Sequence, residues 1–478
     1  MKRYPTALCT LALLSLLGLA SGGCQPTPCV GDCGADPATG KGEFLTGGLQ
    51  TFSLNRLSIA SSTQLTALDK AELAKVVNDE IGAQANVALN DLACSLDEGC
   101  YAVGSFSEAL LVERIDVANN KPLVHGAGKG QYVDDGSLHH RDGFAVQLLP
   151  GYGVVARSTN FAESLSDDQA LAIAFGGPGV RAWVAGDHHG DFTWNGESVF
   201  GLGTLKQGTY LAGLATTSER QSQQSDPRFV QTALTTISAL AVDARGTRWV
   251  SDGTTLLAIA DGNTQTFTPE LGKIHALATC ENCLAELVAI ANRTDGSAVV
   301  ALLSRDPNAT GGLRTIASWT QPNAVLTALH IDDGQIWVAG TLPQAGMVET
   351  TPVKQTFAVS LVAQEGGGAT APRLVATRVA NVPKLTNAVD LARDLFSKLW
   401  IVGSTRAGFA LAEIGEQVEV VAEIANATAT ALACDAGPIV AGQLGGQAPA
   451  IFPNGDAPIT VRGRAAGDAF IWSITGAP

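Results

Sequence analysis

The chain has 478 residues, with 30 Lys and Arg against 45 Asp and Glu, a formal charge of −15. Apolar residues make up 46%, charged residues 16% and aromatics 6%, with 53 glycines. The acidic balance argues against a nucleic-acid partner, the apolar content excludes a disordered chain, and many glycines with few charges fit a turn-rich all-β protein.

Met1-Lys2-Arg3 precedes an apolar run from Ala7 to Ala20. The run is shorter than the ~20 residues a bilayer span needs, so residues 1–23 read as a secretory signal peptide. The end of that segment, Leu19-Ala20-Ser21-Gly22-Gly23-Cys24, resembles a bacterial lipobox, with Ser21 where Leu is usual. The resemblance implies that Cys24 is the lipidated first residue of the mature chain, a palmitate-type anchor. Gln25 rather than Asp after the cysteine implies the outer membrane. Residues 24–48, rich in Pro, Gly and Thr, read as a flexible tether, and residues 49–478 as the folded body.

Seven cysteines remain after the signal and the anchor. An exported chain permits disulfides, and Cys29 with Cys33, and Cys94 with Cys100, are close pairs. Cys280 and Cys283 have redox-motif spacing without a βαβ context, so they read as a small bridge or free thiols. Cys434 is left over.

The body repeats sevenfold. An anchor recurs as WVAG at Trp183, WVSD at Trp249, WVAG at Trp337 and WIVG at Trp400, with degenerate copies at Tyr101, Leu287 and Ile439. A short apolar strand precedes each, built on Leu92, Leu171, Leu240, Leu277, Leu329, Leu391 and Leu432. A third strand follows each anchor, and a fourth follows in six units. The seventh unit lacks its fourth strand, and the segment Thr51–Ala60 is the candidate to supply it. This predicts an all-β fold: a seven-bladed β-propeller closed by an N-terminal outer strand. Thr66 to Ile81 alone has helical periodicity, and predicts one short helical insertion at about 66–81.

The unit-two segments from Asp167 and from Val180, and GDAFIWSI from Gly467, resemble the SBBP-type propeller repeats of bacterial surface proteins and lipoproteins. The unit at Ile237 resembles the repeats of two-component sensor ectodomains. The propeller lipoprotein of the outer-membrane assembly machine is a weaker match, having eight blades and another signature. These resemblances imply a fold and an envelope setting, not an activity.

Two histidine doublets fall in the predicted connections between second and third strands: His139-His140, and His188-His189 between Asp187 and Asp191. Neighbouring units would bring His139, His140, Asp187, His188, His189 and Asp191 to one face. Imidazole with carboxylate suits a transition-metal ion, so a metal is a possible ligand at these binding candidates; no cofactor is predicted. The long connection from Asp116 to His140 is a second binding candidate. No nucleophile elbow, Walker loop or calcium loop is present, and no catalytic residue is assigned. Inner strands are mostly Leu, Ala, Val and Ile, with His275, His330, Arg393 and Asp394 the exceptions. The sequence therefore predicts a non-catalytic, lipid-anchored scaffold for a protein or glycan partner. The alternative is an extracytoplasmic hydrolase or lyase with its site at the channel mouth.

Overall fold

In the computed structural model the described residues are 44–46, 49–52 and most of 87–476. Within that last range the connecting segments 96–98, 108, 113–122, 127–140, 149–154, 165–167, 177–181, 190–191, 195–196, 199–206, 215–228, 261–262, 281–282, 310–311, 367–370, 435–436, 446–447, 454–457 and 462–467 lie outside the description. The predicted helix at 66–81, the tether up to residue 43, Cys24, Cys29 and Cys33 lie outside it too.

The chain forms seven antiparallel sheets of at least four strands. Their innermost strands are Val87–Ser95, Gln169–Phe175, Ala239–Val242, Lys273–Thr279, Val325–Asp332, Asn387–Arg393 and Ala427–Cys434. Each lies beside the next, and Ala427–Cys434 lies beside Val87–Ser95, so the ring closes. This is the expected seven-bladed β-propeller. The closing strand is Leu49–Phe52, paired with Asp468–Ser473 of blade 7 through Leu49 opposite Trp472 and Phe52 opposite Ala469. Of the predicted segment Thr51–Ala60, Thr51 and Phe52 fall in this strand and residues 53–60 lie outside the described residues; Leu49 and Gln50 of the strand precede the segment. The fold also begins earlier than residue 49, because Phe44–Thr46 pairs with Thr475–Gly476.

Seven apolar clusters fill the seven gaps between blades. The anchor side chain packs toward the following blade. Trp183 shares a cluster with Leu240 and Val250, Trp249 with Leu287 and Ala289, and Ile439 of blade 7 with the blade 1 residues Leu92 and Ala102. Tyr101, Trp183, Trp249, Trp337 and Trp400 are all buried. A sheet packed on both faces explains why these strands read as near-continuous apolar runs. Arginine side chains lie over three of the tryptophans: Arg248 over Trp183, Arg305 over Trp249 and Arg378 over Trp337.

The anchor glycine has a specific cause. In six blades the pairing of innermost and second strands slips by one residue at a β-bulge, at Asn90, Leu171, His275, Thr327, Val389 and Thr430. Gly104, Gly186, Gly340, Gly403 and Gly442 each stand opposite the residue just before the bulge. A β carbon on Gly186 would lie 1.9 Å from the Gln169 carbonyl oxygen, and one on Gly442 would lie 2.1 Å from that of Thr428. Blade 4 carries Ala291 at this place.

The bulges also correct the alignment of repeats. In blade 2, Leu171 is itself the bulged residue, and Ile173 takes the position of Leu329 and Leu391. In blade 4, Val288 rather than Leu287 aligns with the anchor Trp.

Connections between second and third strands emerge at one end of the ring. In blades 3, 4 and 6 they are tight turns; in blades 1, 2, 5 and 7 they carry hairpins. Each hairpin reaches back to the preceding blade. That of blade 1, Ala109–Val112 with Leu123–Gly126, extends the blade 7 sheet beyond the closing strand. That of blade 2, Phe192–Trp194 with Glu197–Ser198, extends blade 1. The blade 5 hairpin is held by Trp319 Nε1 donating to Glu349 at 2.6 Å and Gln321 Nε2 donating to the Met347 carbonyl at 3.0 Å. Asn426 Nδ2 donates to the Pro449 carbonyl at 3.1 Å beside the blade 7 hairpin.

Candidate functional site

Of the predicted histidine face, the described residues include Asp187, His188 and the backbone of His189. Asp187, His188 and His189 lie on the second strand of blade 2, Ala182–His189, not in the connection after it. His188 is fully buried, and Asp187 Oδ2 accepts from Thr236 Oγ1 at 3.0 Å. Tyr210, opposite Gly186, donates to the Gln169 carbonyl at 3.1 Å. Burial, then the nearby Asp168 and Asp187, push its phenol well above the usual range. His139, His140, Asp191 and the His189 side chain lie outside the described residues. Among the described residues, no three His, Cys, Asp or Glu side chains are gathered to hold a metal ion.

Polar groups of the inner strands serve mainly to join blades. Asn90 Nδ2 donates to the Ala170 carbonyl, and Thr327 Oγ1 to the Ala388 carbonyl. Asp91 and Asp390 occupy the position after the bulge, where blades 2, 4, 5 and 7 carry Ala172, Ala276, Ala328 and Ala431. Asp91 accepts from the Ile173 amide of blade 2, and Asp390 from the Leu432 amide of blade 7, both at 2.8 Å. Each also accepts from the amide that follows it. Burial raises Asp91 to about 6. Burial, with the charge of Asp91 adding to it, raises Asp390 to about 7.

Three of the four inner-strand exceptions named from sequence, His330, Arg393 and Asp394, lie at the other end of the ring. Opposite the anchor position, six inner strands carry Ala93, Ala174, Ala241, Ala278, Ala392 and Ala433; blade 5 carries His330. Burial lowers His330 to about 4; Asp332 works against this and Arg393 with it. Arg393 of blade 6 pairs with Asp332 of blade 5, and its Nε donates to the Ser397 carbonyl at 2.9 Å. Asp394 organises the turn that follows: its Oδ1 accepts from the Phe396 and Lys398 amides at 2.9 Å, and its Oδ2 from Trp400 Nε1 at 2.8 Å. His330, Asp332, Arg393 and this turn form the candidate site, at the seam of blades 5 and 6. His275, at the bulge of blade 4, is not among them; burial and then Lys273 lower its pKa. Asp332, the last strand residue before the Asp333-Gly334 turn, escaped sequence reading because Asp-Asp-Gly is ordinary turn chemistry.

The structure joins Cys94 to Cys100 and Cys280 to Cys283 as disulfides, so the CxxC pair is a bridge. Cys434 is half-buried and belongs to neither disulfide.

No protein-family model matches the chain, and no curated protein matches it. Solved structures with a similar fold include the Pan2 WD40 domain of Neurospora crassa, at 9% identity and a TM-score of 0.37, covering 83% of this chain and 90% of that one. A putative 6-phosphogluconolactonase from Bacteroides uniformis matches at 10% identity and a TM-score of 0.38, covering 69% and 83%. The PQQ-bound aldose sugar dehydrogenase of Streptomyces coelicolor matches at 12% identity and a TM-score of 0.33, covering 51% and 95%.

Proposed function

We propose that this chain is a lipoprotein anchored through Cys24 in the cell envelope, at the outer membrane, whose propeller displays a rigid face to a protein or glycan without turnover. The observation that carries this reading is the set of hairpins at one end of the ring. Four blades lengthen the same connection, and each hairpin leans back on the preceding blade, giving a fixed, uneven platform of the kind that hosts binding. Most polar inner-strand groups are engaged in joining blades. Catalysis at the channel mouth would centre on His330, whose pKa near 4 makes it a weak base at neutral pH, and this favours binding over turnover.

The test is chemical crosslinking in the native membrane, followed by purification of the chain and mass spectrometry. The expected result is one dominant partner that is lost when residues 116–140 are deleted. Recovery of the chain alone would argue against a scaffold. Cys24→Ala is expected to abolish fatty-acid labelling, and labelling that persists overturns the anchor.

A further inference from the structure

We infer that the end of the ring formed by the turns between first and second strands rests on the membrane surface, with Leu284, Leu395 and Phe396 entering the lipid headgroup region. This rests on the anchoring reading above and adds an orientation to it. Leu395 and Phe396, exposed 51% and 57%, are adjacent at the tip of the blade 6 turn. Leu284, 41% exposed, lies in the corresponding connection of blade 4. Between them blade 5 turns with only Asp333 and Gly334, leaving the apolar tips on either side. The Asp394 bonds hold the blade 6 tip in shape, so little further ordering opposes insertion.

The path of the chain selects lipid as the occupant. Ser473 stands opposite Ile439, and the Ile474 amide donates to the Pro438 carbonyl, which places this end of blade 7 beside its first turn. Phe44–Thr46 pairs with Thr475–Gly476 there, so the chain enters the propeller at the same end as the apolar tips. Residues 25–43 separate that entry from Cys24, and extended they span at most about 65 Å, ample for the ring to settle on the surface holding the anchor. Among the described residues, three ion pairs lie at this end: Asp332 with Arg393, Glu413 with Lys398, and Glu286 with Arg305.

The test compares two single substitutions in the full lipidated chain, Phe396→Trp and Ile451→Trp, the second on the blade 7 hairpin at the opposite end. Both are reconstituted on phosphatidylcholine vesicles, with and without brominated acyl chains, and the wild-type tryptophan signal is subtracted. The added signal of Phe396→Trp is expected to fall at least about twofold on brominated vesicles, with that of Ile451→Trp unchanged. A chain that floats with the vesicles but shows no quenching at 396, or equal quenching at both positions, overturns the orientation alone. A chain that does not float overturns the anchor, and the orientation with it. Crosslinks from residues 394–398 to a protein in native membranes, without quenching, would make a protein the occupant and overturn the inference.

Discussion

The two ends of the ring are built by different rules. At the hairpin end a bulge recurs in six blades, and in five a glycine without room for a β carbon faces the residue before it. Geometry there is fixed by backbone contact, and variation is pushed outward into the hairpins. At the turn end, blades 3 and 6 share one turn. Asp243 receives the amides of Arg245 and Thr247, as Asp394 receives those of Phe396 and Lys398. Gly246 and Ser397 both adopt positive φ, 84° and 65°. Yet the tips differ completely, Ala244-Arg245 against Leu395-Phe396. One end repeats its chain path and the other repeats only its turn frame, so the second can change chemistry blade by blade.

The comparison breaks first at a glycine. Gly442→Ala or Gly186→Ala forces a β carbon onto a carbonyl oxygen and is expected to cost about 3 kcal/mol or more, read from the denaturant midpoint. A loss below about 1 kcal/mol would mean that the bulge can relax. Next come the two turn aspartates. Asp394 has three acceptor bonds including the Trp400 indole, and Asp243 has two. Asp394→Ala should therefore cost about 2–3 kcal/mol and Asp243→Ala about 1–2 kcal/mol. Equal losses would show that the indole bond contributes nothing.

Acidity separates the ends more gently. Asp91 and Asp390 titrate higher in the fold than unfolded, so the folded chain binds more protons than the unfolded chain between about pH 4 and 7. Their burial penalty is fully present above pH 7 and eases as pH falls through the folded values of about 7 and 6. His330 is shifted the other way, to about 4, so its contribution falls as pH drops below the unfolded value near 6.5. From pH 8 to 6 the two aspartates outweigh the histidine, and stability is expected to rise by about 1 kcal/mol. In His330→Ala, which restores the alanine of the other six blades, the rise should approach about 2 kcal/mol. Melting curves across that range check both, and a wild-type curve that falls toward pH 6 would refute the assignment. The smallest effect belongs to the tip: Leu395→Ser and Phe396→Ser should change stability in detergent-free buffer by no more than about 0.5 kcal/mol.

Much of this was readable from the residues. The anchor tryptophans, the glycine after them and the missing seventh outer strand together specify a closed ring of seven blades. What misled was the bulge. Reading a strand by alternation assumes a period of two, and one inserted residue shifts everything beyond it. Hence Leu171 reads as core although Ile173 fills that place, and Leu287 reads as anchor although Val288 does. At the candidate site, His330 and Arg393 stood out among small apolar neighbours. Their meeting depends on two blades 63 residues apart in register, a relation that no local pattern carries. His188 looked like a loop residue because Asp-His-His-Gly-Asp has turn composition, but the second strand of blade 2 runs on through it.

The closing strand has a consequence for how the chain comes to exist in its compartment. Leu49 finds its partner Trp472 only after almost the whole polypeptide has been delivered. If the chain crosses a membrane N-terminus first, it must wait, with six complete blades and an unsealed edge, for the final residues to arrive. Joining ends so far apart is slow, and exposed edges recruit other chains in the interval. Correct maturation would then depend on how fast the last blade is delivered relative to chance encounters between unfinished neighbours, a race decided by translocation speed and holding chaperones as well as by the final fold.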